Sequence, residues 1–83
     1  NEYLSWGFVD VFLDTEHARL TRVEIYSDSL FPSLIETLQA SLQGKAYSKD
    51  GVREACREAR EKVREYDQEI LEFENWLLTQ IEV

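Results

Sequence analysis

Cys56 is the one thiol of this 83-residue chain, and His17 is its one imidazole. With the many carboxylates and the pair Asp28-Ser29, they are the side chains whose chemistry must be weighed first. A nucleophilic cysteine needs exposure and nearby positive charge to hold its thiolate. Cys56 instead falls on an apolar helical seam between Val52 and Ala59, and free cysteine is among the most buried residue types. A core position is expected, with Arg53, Arg57 and Arg60 turned outward to acidic partners. His17 lies near Asp14 and Glu16. A zinc site needs three or four converging ligands, so a solvated loop histidine is expected. Glu54, Glu58, Glu61 and Glu65 sit within three or four residues of Arg57, Lys62 or Arg64. That is the spacing of ion pairs along a solvent face. General acid–base catalysis needs a carboxylate pair held in a partly buried cleft. Gly7, Gly44 and Gly51 are isolated, and no Gly-x-x-x-x-Gly-Lys phosphate loop occurs. No catalytic, cofactor or metal site is expected from these residues.

Asp28-Ser29 admits two readings. Both are small and polar, at a junction between a strand and a helix. Their side chains can bond nearby backbone N–H groups and start the helix. Alternatively, they make a polar contact with a partner surface.

The elements that must position these residues follow from periodicity. Trp6 to Asp14 alternates, with Val9, Val11 and Leu13 on one face and Phe8, Asp10 and Phe12 on the other. The second face is not polar, so Phe8 and Phe12 call for a cover. Asp14 to Arg19 is polar and lacks the Gly or Asn-Gly of a tight turn, which predicts a longer loop. Leu20 to Ser27 is a second strand, antiparallel to the first, with Thr21, Val23 and Ile25 on one face and Arg22, Glu24 and Tyr26 on the other.

A helix then starts at Pro32, or at a capping box of Ser33 and Glu36. Its apolar face is Leu34, Ile35, Leu38 and Leu42, and Gly44 ends it. Ser48 caps the next helix, with Tyr47 and Val52 as a staple. Apolar positions continue through Val52, Cys56, Ala59, Val63, Tyr66, Ile70, Phe73 and Leu77 at alternating spacings of four and three. Periodicity alone allows one helix to about Gln80. A helix of ~30 residues would be about 45 Å long, too long for so small a body, so two helices broken between about Arg64 and Gln68 are preferred. The fold class is α+β: an antiparallel β-hairpin or small sheet followed by three helices on one face, in the order β-β-α-α-α, as a single small domain over residues 1–83.

Nine Lys and Arg against 17 Asp and Glu give a formal charge of −8. Nucleic acid and anionic membrane surfaces both demand basic residues, so neither is an expected partner. No apolar run approaches the ~18 residues of a membrane span. A single cysteine forms no internal disulfide, which fits a reducing compartment. The chain has no methionine, not even at its start, which predicts a fragment or processed product of a longer protein.

One ordered set of residues runs through nearly the whole chain: Ser5-Trp6-Gly7, Thr21-Arg22, Ser27-Asp28-Ser29-Leu30, Pro32, Leu42-Gln43-Gly44, Tyr47, Cys56 and Trp76. In this order and spacing it resembles the small C-terminal accessory domain of lipoate–protein ligases. Such relatives often carry a Gly where His17-Ala18 stands, a capping Asn where Phe31 stands, and a Pro near Arg64; here the cap is expected to shift to Ser33.

The resemblance implies a cytoplasmic accessory domain without catalytic groups, its catalytic domain absent from this chain. The catalytic domain, on the same or a separate chain, would be its partner. That domain would bind lipoate, ATP and magnesium, form lipoyl-adenylate, and transfer the acyl group to a lysine of a lipoyl carrier domain. The small domain would assist activation and swing away for transfer. Asp28 and Ser29 are the candidate contacts with the catalytic domain. The alternative is a non-catalytic protein–protein adaptor that docks through its acidic last helix. A sulfur-acceptor role is disfavoured because Cys56 lies mid-helix.

Overall fold

The alternating run Gly7–Glu16 forms the central strand of a three-stranded antiparallel sheet in a computed structural model that describes residues 2–81. The strands are β1 (Glu2–Leu4), β2 (Gly7–Glu16) and β3 (Arg19–Ser27), in spatial order β1-β2-β3. Three helices follow: α1 (Pro32–Leu42), α2 (Lys49–Lys62) and α3 (Asp67–Gln80). The α+β class and the helix count are as the sequence implies. The strand β1 is an addition, too short to show a period of its own.

Two expectations about the hairpin are corrected. The connection is a two-residue turn, His17-Ala18, with φ of 53° and 62°. Both residues occupy left-handed space without being glycine, a conformation that costs about 1–3 kcal/mol each. Tertiary contacts hold it there. Tyr47 N–H donates to Ala18 O at 2.8 Å, Leu20 N–H to Lys45 O at 2.8 Å, and Gly44 N–H to Leu20 O at 2.8 Å.

The second correction concerns facing. A bulge shifts the register between Asp14 and Thr15, so that Asp14 pairs with Arg22 and Thr15 with Leu20. Thr21 is the extra residue; its hydroxyl donates to Asp14 O at 3.2 Å. Leu20 therefore takes the buried place expected for Thr21, beside Val23 and Ile25.

Helix α1 begins at Pro32, with Phe31 at the N-cap and no side-chain cap hydrogen bond. The Ser33–Glu36 capping box does not form, since Ser33 already lies inside the first turn. Gly44 ends the helix at φ 84°, the left-handed C′ position expected of it. Helix α1 also blunts the free edge of β3. Ile25 N–H donates to Gln39 Oε1 at 2.7 Å, and the Gln43 amide donates to Thr21 O.

Ser48 caps α2 as expected, its hydroxyl accepting from Gly51 N–H at 3.0 Å. The break predicted between the last helices is present: Val63 leaves helical space, and a 3-10 turn over Arg64–Tyr66 leads into α3.

The inner face of the sheet and the three helices enclose one core, with Leu20, Leu34, Leu38, Ile70 and Phe73 buried. Cys56 is fully buried within it. Burial first, and then the nearby Glu74 carboxylate, push its thiol up to about 12, with Arg60 opposing. Native labelling by a thiol reagent at pH 8 is therefore expected to be about a thousandfold slower than in the unfolded chain, following the loss of thiolate. Comparable rates in both states would contradict burial. The linkage has a defined sign. The folded thiol binds its proton more tightly than the unfolded one, so its contribution is complete below pH ~8.5 and is lost as pH rises toward the folded value. Stability should fall by about 1.5–2 kcal/mol between pH 8 and 10 relative to Cys56→Ala.

Candidate interaction surface

The Asp28-Ser29 junction is built by short-range and long-range bonds together. Asp28 Oδ1 accepts the N–H of Phe8 at 2.8 Å, across 20 residues. Ser29 N–H donates to Ser27 Oγ at 3.0 Å, and Ser29 Oγ accepts Phe31 N–H at 3.2 Å. The turn chemistry anticipated for these residues is thus present. Asp28 also latches the start of β2 to the end of β3. Gly7 makes room for that latch: its φ is 145°, and a Cβ there would lie 2.9 Å from Asp28 Oδ1. Leu30 follows, with 90% of its surface exposed. The junction therefore offers an apolar side chain directly after its two polar ones.

The latch borders the outer face of the sheet. Strand parity places Tyr3, Phe8, Asp10, Phe12, Glu24 and Tyr26 on the side away from the helices. The cover that Phe8 and Phe12 call for does not come from the described residues. Tyr3 is 78%, Phe12 53% and Tyr26 55% exposed. The rings meet one another at steep angles instead. Tyr3 and Phe8 are cross-strand partners with centroids 5.2 Å apart, and Phe12 meets the diagonal Tyr26 edge-on at 5.7 Å.

A charged corner adjoins them. Arg22 Nη2 donates to Glu24 Oε1 at 2.9 Å, the Tyr26 hydroxyl donates to Glu24 Oε2 at 3.3 Å, and Arg22 lies 3.8 Å from Asp14. The Arg22 hydrogen bond holds the Glu24 carboxyl below the usual carboxylate range. Sequence reasoning noted the apolar parity of this face but assigned it no role.

Other candidate residues have structural partners. His17 projects from the hairpin tip, 3.8 Å from Glu16. Arg57 pairs with Glu61 at 3.1 Å along α2, whereas Glu58 reaches across to Lys45 at 3.0 Å. The acidic last helix is partly engaged internally. Glu72 accepts from both the backbone N–H and the hydroxyl of Ser5, and Trp6 Nε1–H donates to Glu69 O at 3.1 Å.

Comparison with known proteins places this arrangement. A family profile described as the bacterial lipoate protein ligase C-terminus matches residues 1–77. The lipoate-protein ligase A of Bdellovibrio bacteriovorus is 42% identical over 83 residues, which is 100% of this chain and 24% of the relative. The chain thus spans about a quarter of the length of that curated relative. On the extent of both matches, the chain belongs to the family of bacterial lipoate–protein ligase C-terminal domains.

Proposed function

We propose that this domain is the accessory part of a lipoate–protein ligase. It assists ATP-dependent activation of lipoate to lipoyl-adenylate on a catalytic domain, before transfer to a carrier lysine. The observation that carries this reading is the family match over residues 1–77, together with the quarter-length share of the relative. Lipoate, ATP and magnesium belong to the catalytic partner, and the lipoyl carrier domain meets this chain only indirectly. The setting is cytoplasmic.

A domain can aid adenylation without reacting groups of its own. Closing over the active site orders loops and excludes water while the adenylate forms, and opening exposes the product to the carrier. The Asp28-Ser29-Leu30 corner offers polar and apolar contact side by side for such a closure.

Lipoate-dependent ATP–pyrophosphate exchange by the catalytic domain is the measurement that tests this. The purified small domain alone should give no exchange. Added to its cognate catalytic domain, it should raise exchange more than it raises transfer from preformed lipoyl-adenylate. Asp28→Ala and Ser29→Ala should lower that stimulation severalfold while circular dichroism stays native. Full stimulation by both folded variants would leave these residues with structural roles only, Asp28 as the latch and Ser29 in the turn. No stimulation by the unmodified domain would overturn the accessory reading in favour of an adaptor.

A further inference from the structure

We infer that the free edge of β2, from Val11 to Thr15, is occupied in the full-length ligase by the segment directly ahead of Glu2, which continues β1 as an extended strand antiparallel to β2. This rests on the reading above that the domain is one part of a longer lipoate–protein ligase, and adds a surface and its occupant.

The direction of the backbone groups identifies the edge. Along an antiparallel pair, successive residues turn their N–H and C=O alternately toward and away from the partner strand. Two residues of β3 bond away from β2: Ile25 N–H donates to Gln39 Oε1, and Leu20 N–H donates to Lys45 O. Their partners Val11 and Thr15 therefore turn their own groups away from β3, and Leu13 shares that parity. Phe8, of the opposite parity, sends its N–H to the β3 side, where Asp28 accepts it. On the far side of β2, β1 pairs with Gly7, Phe8 and Val9 and reaches no further. Among the described residues, no strand lies beside Val11, Leu13 and Thr15, and no hydrogen bond takes up their backbone groups on that side.

The two edges of the sheet are treated differently. The outer edge of β3 is covered by Gln39 and Gln43 of α1 and by the bridge from Arg19 to Ala46. An exposed edge strand is ordinarily blunted by proline, lysine or a bulge. Neither proline nor lysine occurs in Gly7–Glu16, and the bulge residue Thr21 belongs to β3. Val11-Phe12-Leu13 is an apolar run, with Val11 and Leu13 half-buried at the rim of the core and Phe12 exposed on the other face.

Chain direction names the occupant. Glu2 stands opposite Val9, and Tyr3 opposite Phe8. Each residue ahead of Glu2 that keeps this course stands one place further along β2. The residue two before Glu2 comes opposite Val11, and the residue four before it opposite Leu13, each exchanging both backbone hydrogen bonds. On the inner face, these two extend the core over Val11 and Leu13. The residue three before Glu2 stands beside Phe12 on the outer face. The hairpin of β1 and β2 already positions this continuation, so its pairing closes no new loop. In the family there is chain to supply it: the match covers 24% of the Bdellovibrio bacteriovorus ligase and belongs to a C-terminal profile, so the remainder of that relative lies ahead of the matched segment.

Amide hydrogen exchange and nuclear Overhauser contacts in the full-length protein, with the 83-residue chain as reference, test this. The Val11 and Leu13 amides should be protected at least about a hundredfold more in the full-length protein than in the reference. Phe12, bonded toward β3, should be protected in both. An Hα–Hα contact between Phe12 and the residue three before Glu2 fixes the register, because non-hydrogen-bonded pairs bring their Cα atoms closest. A proline placed two residues before Glu2 removes the donor to Val11 O, and should return Val11 toward the reference rate while leaving Phe12 unchanged. If Val11 and Leu13 exchange equally fast in both proteins, the edge is not so occupied, and the accessory reading stands on pyrophosphate exchange. Protection with the Phe12 contact going to another segment would overturn this occupant. Protection in the reference chain that rises with concentration would assign the edge to a second copy instead. A parent protein with nothing ahead of this chain would overturn the proposal and leave the accessory role to be exerted on a separate partner.

Discussion

Phe73→Ala should come close to unfolding this domain. Phe73 is the largest of the fully buried side chains, and it sits where α3 packs into the common core beside Trp76, with ring centroids 5.9 Å apart. Removing a buried phenyl ring loses its transfer free energy and leaves a cavity, together about 3–5 kcal/mol. A domain of this size has only about 4–12 kcal/mol to lose. The expected fall in melting temperature is at least about 12 °C, because each kcal/mol shifts a small domain by about 4–8 °C. Thermal and urea unfolding followed by circular dichroism measure it. A loss below about 1 kcal/mol would mean that the helices close over the gap, and that α3 is not held by this residue.

Gly51→Ala carries the second large effect, and its sign runs against helix propensity. In a helix interior, Ala is ordinarily better than Gly by about 1 kcal/mol. Gly51 is buried in the first turn of α2. A Cβ there would overlap the Ala46 carbonyl oxygen and stand 2.9 Å from the carbonyl carbon. The obstacle is backbone that is itself engaged: Ala46 O accepts Ser48 N–H at 2.9 Å, and Ala46 bridges to Arg19. Neither side can yield by rotating a side chain. Overpacking of this kind costs about 3 kcal/mol, so the variant should be clearly less stable than the parent in urea. A stabilised Gly51→Ala protein would show that the 44–47 segment is free to move.

Residues with strong local preferences made much of this fold legible. Pro32, Gly44 and Ser48 mark helix ends by chemistry that acts within one turn, and each stands at the end it predicts. Cys56 was readable as core because its neighbours on the seam are apolar. The hairpin was not readable, because nothing in His17 or Ala18 announces positive φ; the bonds that hold them come from residues 44–47. The bulge at Thr21 was hidden for a related reason: alternation cannot reveal the residue that breaks it. The apolar spacing ran unbroken over Val63 and Tyr66 because the 3-10 turn keeps both half-buried against the core. At the candidate site, the turn role of Ser29 was legible from residue type. The bond from Phe8 to Asp28 was not, since it joins residues 20 apart.

Trp6 and Trp76 are the only tryptophans, and α3 engages both. Trp6 hydrogen-bonds to Glu69 O, and Trp76 leans on Phe73. Indole emission from this protein is therefore an optical gauge of one joint, the N-terminal segment against the last helix. The outer face of the sheet is dark in that channel, where Tyr3 and Tyr26 are the native chromophores. A binding event that leaves tryptophan emission steady therefore leaves that joint undisturbed, read by light alone and without a label.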